Sequence, residues 1–352
     1  LACVLAAGLT GYYAFQVSRQ TLVEAAKDKL LTSTQVLARR ITLTREETSR
    51  NLLILARHPA ALAVLEKPPE ASGQDARQLA ELFALVLQAQ PGYFQVRLID
   101  ARQHGLERVR VDRDRDGPTL IAPDDLQEKG HFDYVSETLK LPPAHTYMSR
   151  LAVNHDEGAH DGEEKPSLIL AMPVEGSDGV NRGVVAINLD LKGMFELLAQ
   201  DLPGNFRLYF ANGDGDILIH PDASKVFGFE TGRRSLIQTE FPAVLPLLKG
   251  DGGQAVFEAR DGEHAGAPVV AAFLCQGVNT VSDERRVLLG LAQALGEVLA
   301  ASDRLGWSVL QIVVALSLVG VLLALVTGRT LARPINAINR AAQQIASGLP
   351  PG

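Results

Sequence analysis

Two long uncharged runs bracket a polar middle in this chain. The first, Leu1 to Ser18, ends at Arg19, and the second, Leu305 to Gly328, contains Val309–Thr327, almost wholly Val, Leu, Ile and Ala. About 20 such residues span the ~30 Å hydrocarbon core of a bilayer as a helix. Transmembrane helices are therefore expected over 1–18 and 306–328. Trp307 lies at one end of the second run, and Arg329, Arg333 and Arg340 follow the other, which the positive-inside bias places in the cytoplasm. Tyr12 and Tyr13 mark the outer end of the first run, which begins without Met or a basic flank and reads as a span joined part-way along. A signal-peptide core competes for the first run and a buried soluble helix for the second. Two spans with a cytoplasmic C-terminus put 19–304 outside the cytoplasm.

After Arg19, apolar or small residues recur at threes and fours: Val23, Ala26, Leu30, Leu37, Ile41, Thr44, Thr48, Leu52 and Leu55. This is a helical stripe, expected to reach about Arg57 and to stop at Pro59. It serves for packing on its own domain, for facing a second copy, or for both. A second helix is expected over Gln74–Gln90, beyond a Pro/Gly/Ser linker at Lys67–Gly73. The period then changes to two: Tyr93–Asp100, a turn at Arg102–Gly105, and Leu106–Asp112 read as a hairpin. Asp124–Leu139 reads as a short helix, and His145–Leu151, Leu168–Val174 and Gly183–Leu191 as strands. A similar unit follows, with Phe206–Phe210 turning at Asn212–Asp216 into Ile217–His220. Strands near Gln254–Arg260, Pro268–Cys275 and Arg286–Leu291 follow, then a helix Gln293–Leu305 leading into the second run. "Arg-Leu, turn with Gly, strand" at positions 97 and 207 points to two tandem domains of one kind.

With 41 acidic and 34 basic residues the net charge is −7, which disfavours nucleic acid as a partner. Two cysteines, Cys3 and Cys275, give no disulfide framework and no zinc spacing. Neither HExxH, GxSxG, a Walker loop nor a strand-to-helix GxGxxG is present, and no catalytic residues, metal or cofactor are expected. Asn212–Asp216 imitates a calcium loop, but Ile217 and Ala223 stand where Gly and the bidentate Glu belong, so a hairpin turn is expected. Asn154–Asp161 reads as a solvated loop, with a metal site as the lesser alternative. Asp112–Asp116, alternating with Arg113 and Arg115, reads as self-neutralising surface.

Together these features give an α+β fold, and the chain resembles a bacterial double-Cache (tandem PAS-like) sensory domain flanked by transmembrane helices. The resemblance is carried by Tyr93, Gln95–Asp100, Glu107, Arg110-Val111, Leu126–Lys129, Tyr147, Ser149–Leu151, Asn154, Pro173-Val174, Gly183–Val185 and Asn188. It implies a long helix and a second helix over 19–92, a membrane-distal Cache domain over 93–200 and a membrane-proximal one over 201–305. Pro334 after Arg333, with Ile335, Ile338, Ala342 and Ile345 at a/d spacing and Gly348 as a C-cap, resembles the start of a HAMP domain over 329–352. A generic amphipathic juxtamembrane helix is the alternative there.

Strand parity sorts the first hairpin. Phe94, Val96, Leu98, Val109 and Val111 take one face, leaving Gln95, Arg97, Arg108 and Arg110 on the other. Tyr147 pairs with Ser149 and Asn188 with Asp190, while Val185, Ile187 and Leu189 face inward. A polar face bearing guanidiniums suits a carboxylate, because Arg offers a planar fork. Lys129 and Tyr134, on the segment Asp112–Ala144, would point in from above. A solvent-washed sheet face is the competing reading. The resemblance implies that the distal unit binds small metabolites, and so supports Arg97, Arg110, Lys129, Tyr134, Tyr147, Ser149 and Asn188 as the ligand site. The Arg-x-Trp-Tyr motif of amino-acid-binding members is absent. The resulting expectation is the sensor of an inner-membrane, homodimeric receptor for a small anionic metabolite, with a periplasmic sensor domain. A histidine kinase output is favoured, with a diguanylate cyclase or methyl-accepting chemoreceptor next. A ligand-free, membrane-anchored partner-binding scaffold is the alternative of a different class.

Overall fold

The computed structural model describes residues 2–150, 152–153, 166–229, 232–259, 267–280 and 283–346. Contacts divide the chain into two compact units, Lys27–Gln293 and the pair of segments Leu1–Ala26 with Ala294–Gly352. Both sheets lie in the first of these.

Helix α1 is continuous over Ala2–Ala56. Along its length Val23, Ala26, Leu30, Leu37, Thr48, Leu52 and Leu55 are buried, as the stripe requires, while Ile41 and Thr44 are half-buried. Thr34, Thr42, Thr44 and Thr48 each return their hydroxyl to the carbonyl four residues back, so the polar members of the stripe need no outside partner. Pro59 does not merely end this helix. It occupies the first turn of a further one, α2 (Pro59–Glu66), capped by His58 Nδ1 accepting from Ala60 N–H. A proline at that position lacks only an N–H that the helix would leave unbonded. Helix α3 covers Gly73–Ala89.

The first sheet has seven strands: β1 (Tyr93–Asp100), β2 (Glu107–Asp114), β3 (Gly117–Leu120), β4 (Tyr147–Met148), β5 (Ala152–Val153), β6 (Pro166–Glu175) and β7 (Asn181–Asp190). Its order is β3-β2-β1-β7-β6-β4, with β5 also on β6. The strand expected over His145–Leu151 is shorter, and Asn154–Asp161 lies outside the described residues. The expected helix over Asp124–Leu139 reduces to one turn, α4 (Asp133–Ser136), between 3-10 turns at Pro123–Asp125 and Thr138–Lys140. One face of this sheet packs Val96, Leu98, Val109, Val111, Met172, Val185 and Ile187 on Leu52, Leu55, Leu79 and Phe83 of the helices. Each such side chain contributes about 1.5–3 kcal/mol when fully buried.

Helix α5 (Leu191–Gln200), capped by the Asp190 carboxylate accepting from Gly193 N–H, leads to the second sheet. This comprises β8 (Arg207–Asn212), β9 (Ile217–Ile219), β10 (Gln254–Ala259), β11 (Val269–Thr280) and β12 (Asp283–Ala294), in the order β10-β11-β12-β8-β9. The hairpin expected at Asn212–Asp216 is present: Asn212 Oδ1 accepts from the Asp214 and Asp216 amides. Short helices α6 (Ile237–Glu240) and α7 (Leu245–Lys249) cover one face. In both sheets the first hairpin strand sits between its hairpin partner and the last strand, which substantiates the internal repeat.

The second unit contains the N-terminal part of α1, up to Ala26, and helix α8, which runs unbroken over Leu295–Ala346 and passes through Pro334. Gly348, expected as its C-cap, lies outside the described residues. Among the described residues one segment, Ser302–Thr327, is long and apolar enough to cross a membrane.

Candidate functional site

The opposite face of the first sheet is polar, buried and internally bonded. Arg97, at the centre of β1, has no exposed surface. Its Nη1 donates to Glu107 Oε1 at 3.3 Å and its Nη2 to Asn188 Oδ1 at 3.1 Å. Asn188 Nδ2 donates to Gln95 Oε1 at 3.1 Å, and Gln95 Nε2 to Asp112 Oδ1 at 2.9 Å. Arg110 grips Asp112 through Nε (2.9 and 3.0 Å) and Nη2 (2.6 Å), and its Nη1 lies 3.7 Å from Glu107 Oε2. These contacts close a ring across β7, β1 and β2. Burial pulls the Arg110 pKa down, but the bonds and charge of Asp112 outweigh it and hold the guanidinium above its usual range.

Parity alone misassigns one member. The β1–β2 register shifts between Leu98 and Ile99, so that Ile99 faces Glu107 and Leu98 faces Val109. Arg108 is the extra residue of this bulge. It leaves the face and bonds Asp100 Oδ2, the Lys67 carbonyl and Ser72 Oγ. Glu107 takes the inward position instead, so an acid stands where a third base was expected. A second shift between Tyr93 and Gln95 likewise displaces Phe94, and Tyr93 enters the helix-side core, its hydroxyl donating to Thr48 Oγ1. Asp112, expected on the surface, is in the ring, and Arg113 bonds the Leu87, Gln90 and Tyr93 carbonyls where α3 ends.

The segment Lys129–Leu141 roofs this face. Tyr134 lies over Arg97, ring centroid to Cζ 5.2 Å, and packs with Val135, Leu141, Tyr147, Ile99, Val184 and Ala186. Lys129 is buried, with Nζ 5.2 Å from the Phe132 ring. The roof is pinned to the hairpin turn by Lys129 N–H on the Gly105 carbonyl, Gly130 N–H on the His104 carbonyl and Glu107 N–H on the Gln127 carbonyl. Gly105 and Gly130 touch there: a Cβ on Gly130 would stand 2.4 Å from the His104 carbonyl oxygen. Of the expected residues, Arg97, Arg110 and Asn188 meet in the ring, with Tyr134 and Tyr147 in the roof cluster and Lys129 at its margin. Ser149 is on the same face, but its hydroxyl is spent on backbone, accepting from Ile169 N–H and donating to the Arg150 carbonyl.

The equivalent face of the second sheet differs. Tyr209, Phe241 and Phe273 fill it, and Gly290 makes room for the Phe273 ring, since a Cβ there would lie 2.2 Å from it. At its edge Glu240 takes His220 Nε2 (3.0 Å) and Lys225 Nζ (2.7 Å). Burial works against the Glu240 charge, but these two partners outweigh it and lower its pKa to about 2. Burial, with the Glu240 charge nearby, pushes Tyr209 up to about 12.

A long helix thus carries two sheets of matching strand order, the first with a roofed polar face. The chain belongs to the bacterial histidine kinase sensor domain family, whose family model matches residues 37–248. Among solved structures it is similar to the extracellular domain of vpHK1S-Z8, assigned as a histidine kinase, at 19% identity and TM-score 0.63 over 79% of this chain and 98% of that one. A domain of a sensory box/GGDEF family protein from Vibrio parahaemolyticus is similar at 19% identity and TM-score 0.61, covering 80% and 99%. The ligand-binding domain of the Campylobacter jejuni chemoreceptor Tlp3, in complex with L-norvaline, is similar at 12% identity and TM-score 0.53, covering 79% and 94%. At these identities the likeness establishes the fold. No curated protein matches the chain.

Proposed function

We propose that this chain is the sensing region of an inner-membrane histidine kinase, and that its first sheet recognises a small carboxylate metabolite outside the cytoplasm. The observation that carries this reading is the ring of Arg97, Glu107, Arg110, Asp112, Gln95 and Asn188 buried beneath a roof that is bonded to the β1–β2 turn at one end and held at the other by Asn181 Nδ2 donating to the Leu139 and Leu141 carbonyls. A solvent-washed face would not bury an arginine completely or stack a tyrosine on it. A ligand carboxylate would exchange places with Glu107 on Arg97, with Lys129 and Arg110 adjacent, and Tyr134 and Tyr147 closing around it. The acids of the ring also offer a position for a ligand ammonium, and the Tlp3 domain is solved with an amino acid.

In the closed arrangement Arg97 is sealed, so binding requires the roof to lift and reclose around the ligand. Ligand can shift such an equilibrium only by its differential affinity for the two arrangements. The shift would pass along α1 and α8 to the segment from Pro334 to Ile345, paired with its copy in a dimer. The family match favours a kinase output over a cyclase or chemoreceptor.

The test is thermal unfolding of the full chain against small carboxylates, amino acids included. A ligand at 100 times its Kd stabilises by about 2.7 kcal/mol. Stabilisation abolished by Arg97→Lys and Lys129→Met, in variants that still unfold cooperatively, is expected. Stabilisation indifferent to both variants would place the ligand elsewhere, and none from any carboxylate would favour the scaffold reading.

A further inference from the structure

A second, unrelated space lies where α1 passes from the first sheet to the second. It is a half-open cavity of about 140 Å³. Its walls are Ile41 of α1, Leu170 of β6, Leu189 of β7, Phe195 of α5 and Phe210 of β8. A dry cavity of roughly 150 Å³ with such walls admits one benzene ring. The space is therefore the size of an aryl group or a short branched chain.

Its polar lining is sparse. Thr42 Oγ1 donates to the Ala38 carbonyl and accepts from Gln276 Nε2 at 3.0 Å, and Thr44 Oγ1 donates to the Arg40 carbonyl. Among the described residues Arg45 is the single charged one lining the cavity. It is half-buried and makes no ion pair or hydrogen bond with any of the described residues. Every arginine of the ring on the other side of the sheet is matched to a carboxylate or amide; this one is not.

These walls offer nothing to a sugar or a polyol, whose hydroxyls would lose water without replacement bonds. They suit a hydrocarbon body with one anionic head. We propose that this cavity is a second ligand site, taking a small apolar monocarboxylate with its body against Leu170, Leu189 and Phe210 and its carboxylate on Arg45. The site stands independently of the roofed ring. It does share strands with it: Asn188 faces the ring and its neighbour Leu189 faces the cavity. A molecule wedged there props the first sheet against the second, giving the sensor a second input whose coupling to the ring must be reciprocal.

The test uses the full chain in nanodiscs, with 4-fluorobenzoate as probe and 4-fluorobenzyl alcohol as its neutral match, both followed by fluorine NMR. Saturable binding of benzoate is expected. Arg45→Gln should weaken it about ten-fold, as loss of a charge-assisted hydrogen bond implies, while leaving the alcohol within about two-fold. Met194→Trp, which fills the cavity, should remove both; Leu170→Phe substitutes should that variant fail to fold. Both probes should still bind in Arg97→Lys, with any change well below roughly ten-fold. Equal benzoate affinity in wild type and Arg45→Gln overturns the proposal. So does a signal that persists after the cavity is filled, which is partition into lipid, or one lost only in Arg97→Lys, which belongs to the ring.

Discussion

Arg97 and Glu107 are both fully buried and bonded to each other. Such a pair is costly to break from one side, because the remaining charge keeps its burial and loses its partner. Arg97→Ala is expected to cost about 3–5 kcal/mol, whereas the paired change Arg97→Met with Glu107→Leu should cost clearly less. Equilibrium unfolding of the three proteins checks this, and equal losses would show that the ring is not an ion-pair unit. Glu240 makes a pH prediction. Its folded pKa of about 2 lies below its ordinary 4.5, so its contribution is complete above about pH 4.5 and is lost as pH falls toward 2. The shift corresponds to about 3 kcal/mol. Glu240→Gln should therefore lower the unfolding midpoint at neutral pH and flatten its fall between pH 4.5 and 2. Alternation along β1, β2 and β7 was enough to put Arg97, Arg110 and Asn188 on one face. It could not place Glu107, because a bulge adds one residue and inverts parity beyond it, and nothing in Leu106-Glu107-Arg108 marks the extra residue.

Among the elements, the long helix, the α3 helix and the main strands were legible because each keeps one period over many residues. Helix α2 was hidden because proline is both a stop within a helix and a good first residue for one. The roof was hidden for a different reason. It has almost no period of its own, and its shape comes from backbone bonds to the β1–β2 turn. Gly105, at φ +73°, and Gly130 permit that contact. Gly130→Ala should drive the roof off the His104 carbonyl. Faster hydrogen exchange at the Lys129 and Gly130 amides, with exchange in β6 and β7 unchanged, is the expected result. Unaltered exchange at Lys129 would mean that the roof is held by its side-chain cluster alone.

At the scale of the whole molecule, two sheets of one strand order have diverged in what covers them. The first keeps a polar ring under a roof, and the second is filled by Tyr209, Phe241 and Phe273. That contrast is what the proposal of sensing at the first sheet rests on, with the second sheet as a packed coupling piece within the same proposal. All of it presupposes that Lys27–Gln293 faces the outside of the cell, while Ser302–Thr327 crosses the membrane. The direct measurement is labelling of intact cells with a membrane-impermeant maleimide, using Asp116→Cys, an exposed position, in a chain whose Cys3 and Cys275 are replaced by Ser. Labelling before lysis at the level reached after it is the predicted result. Labelling that needs lysis would put the ring in the cytosol and contradict an external sensor.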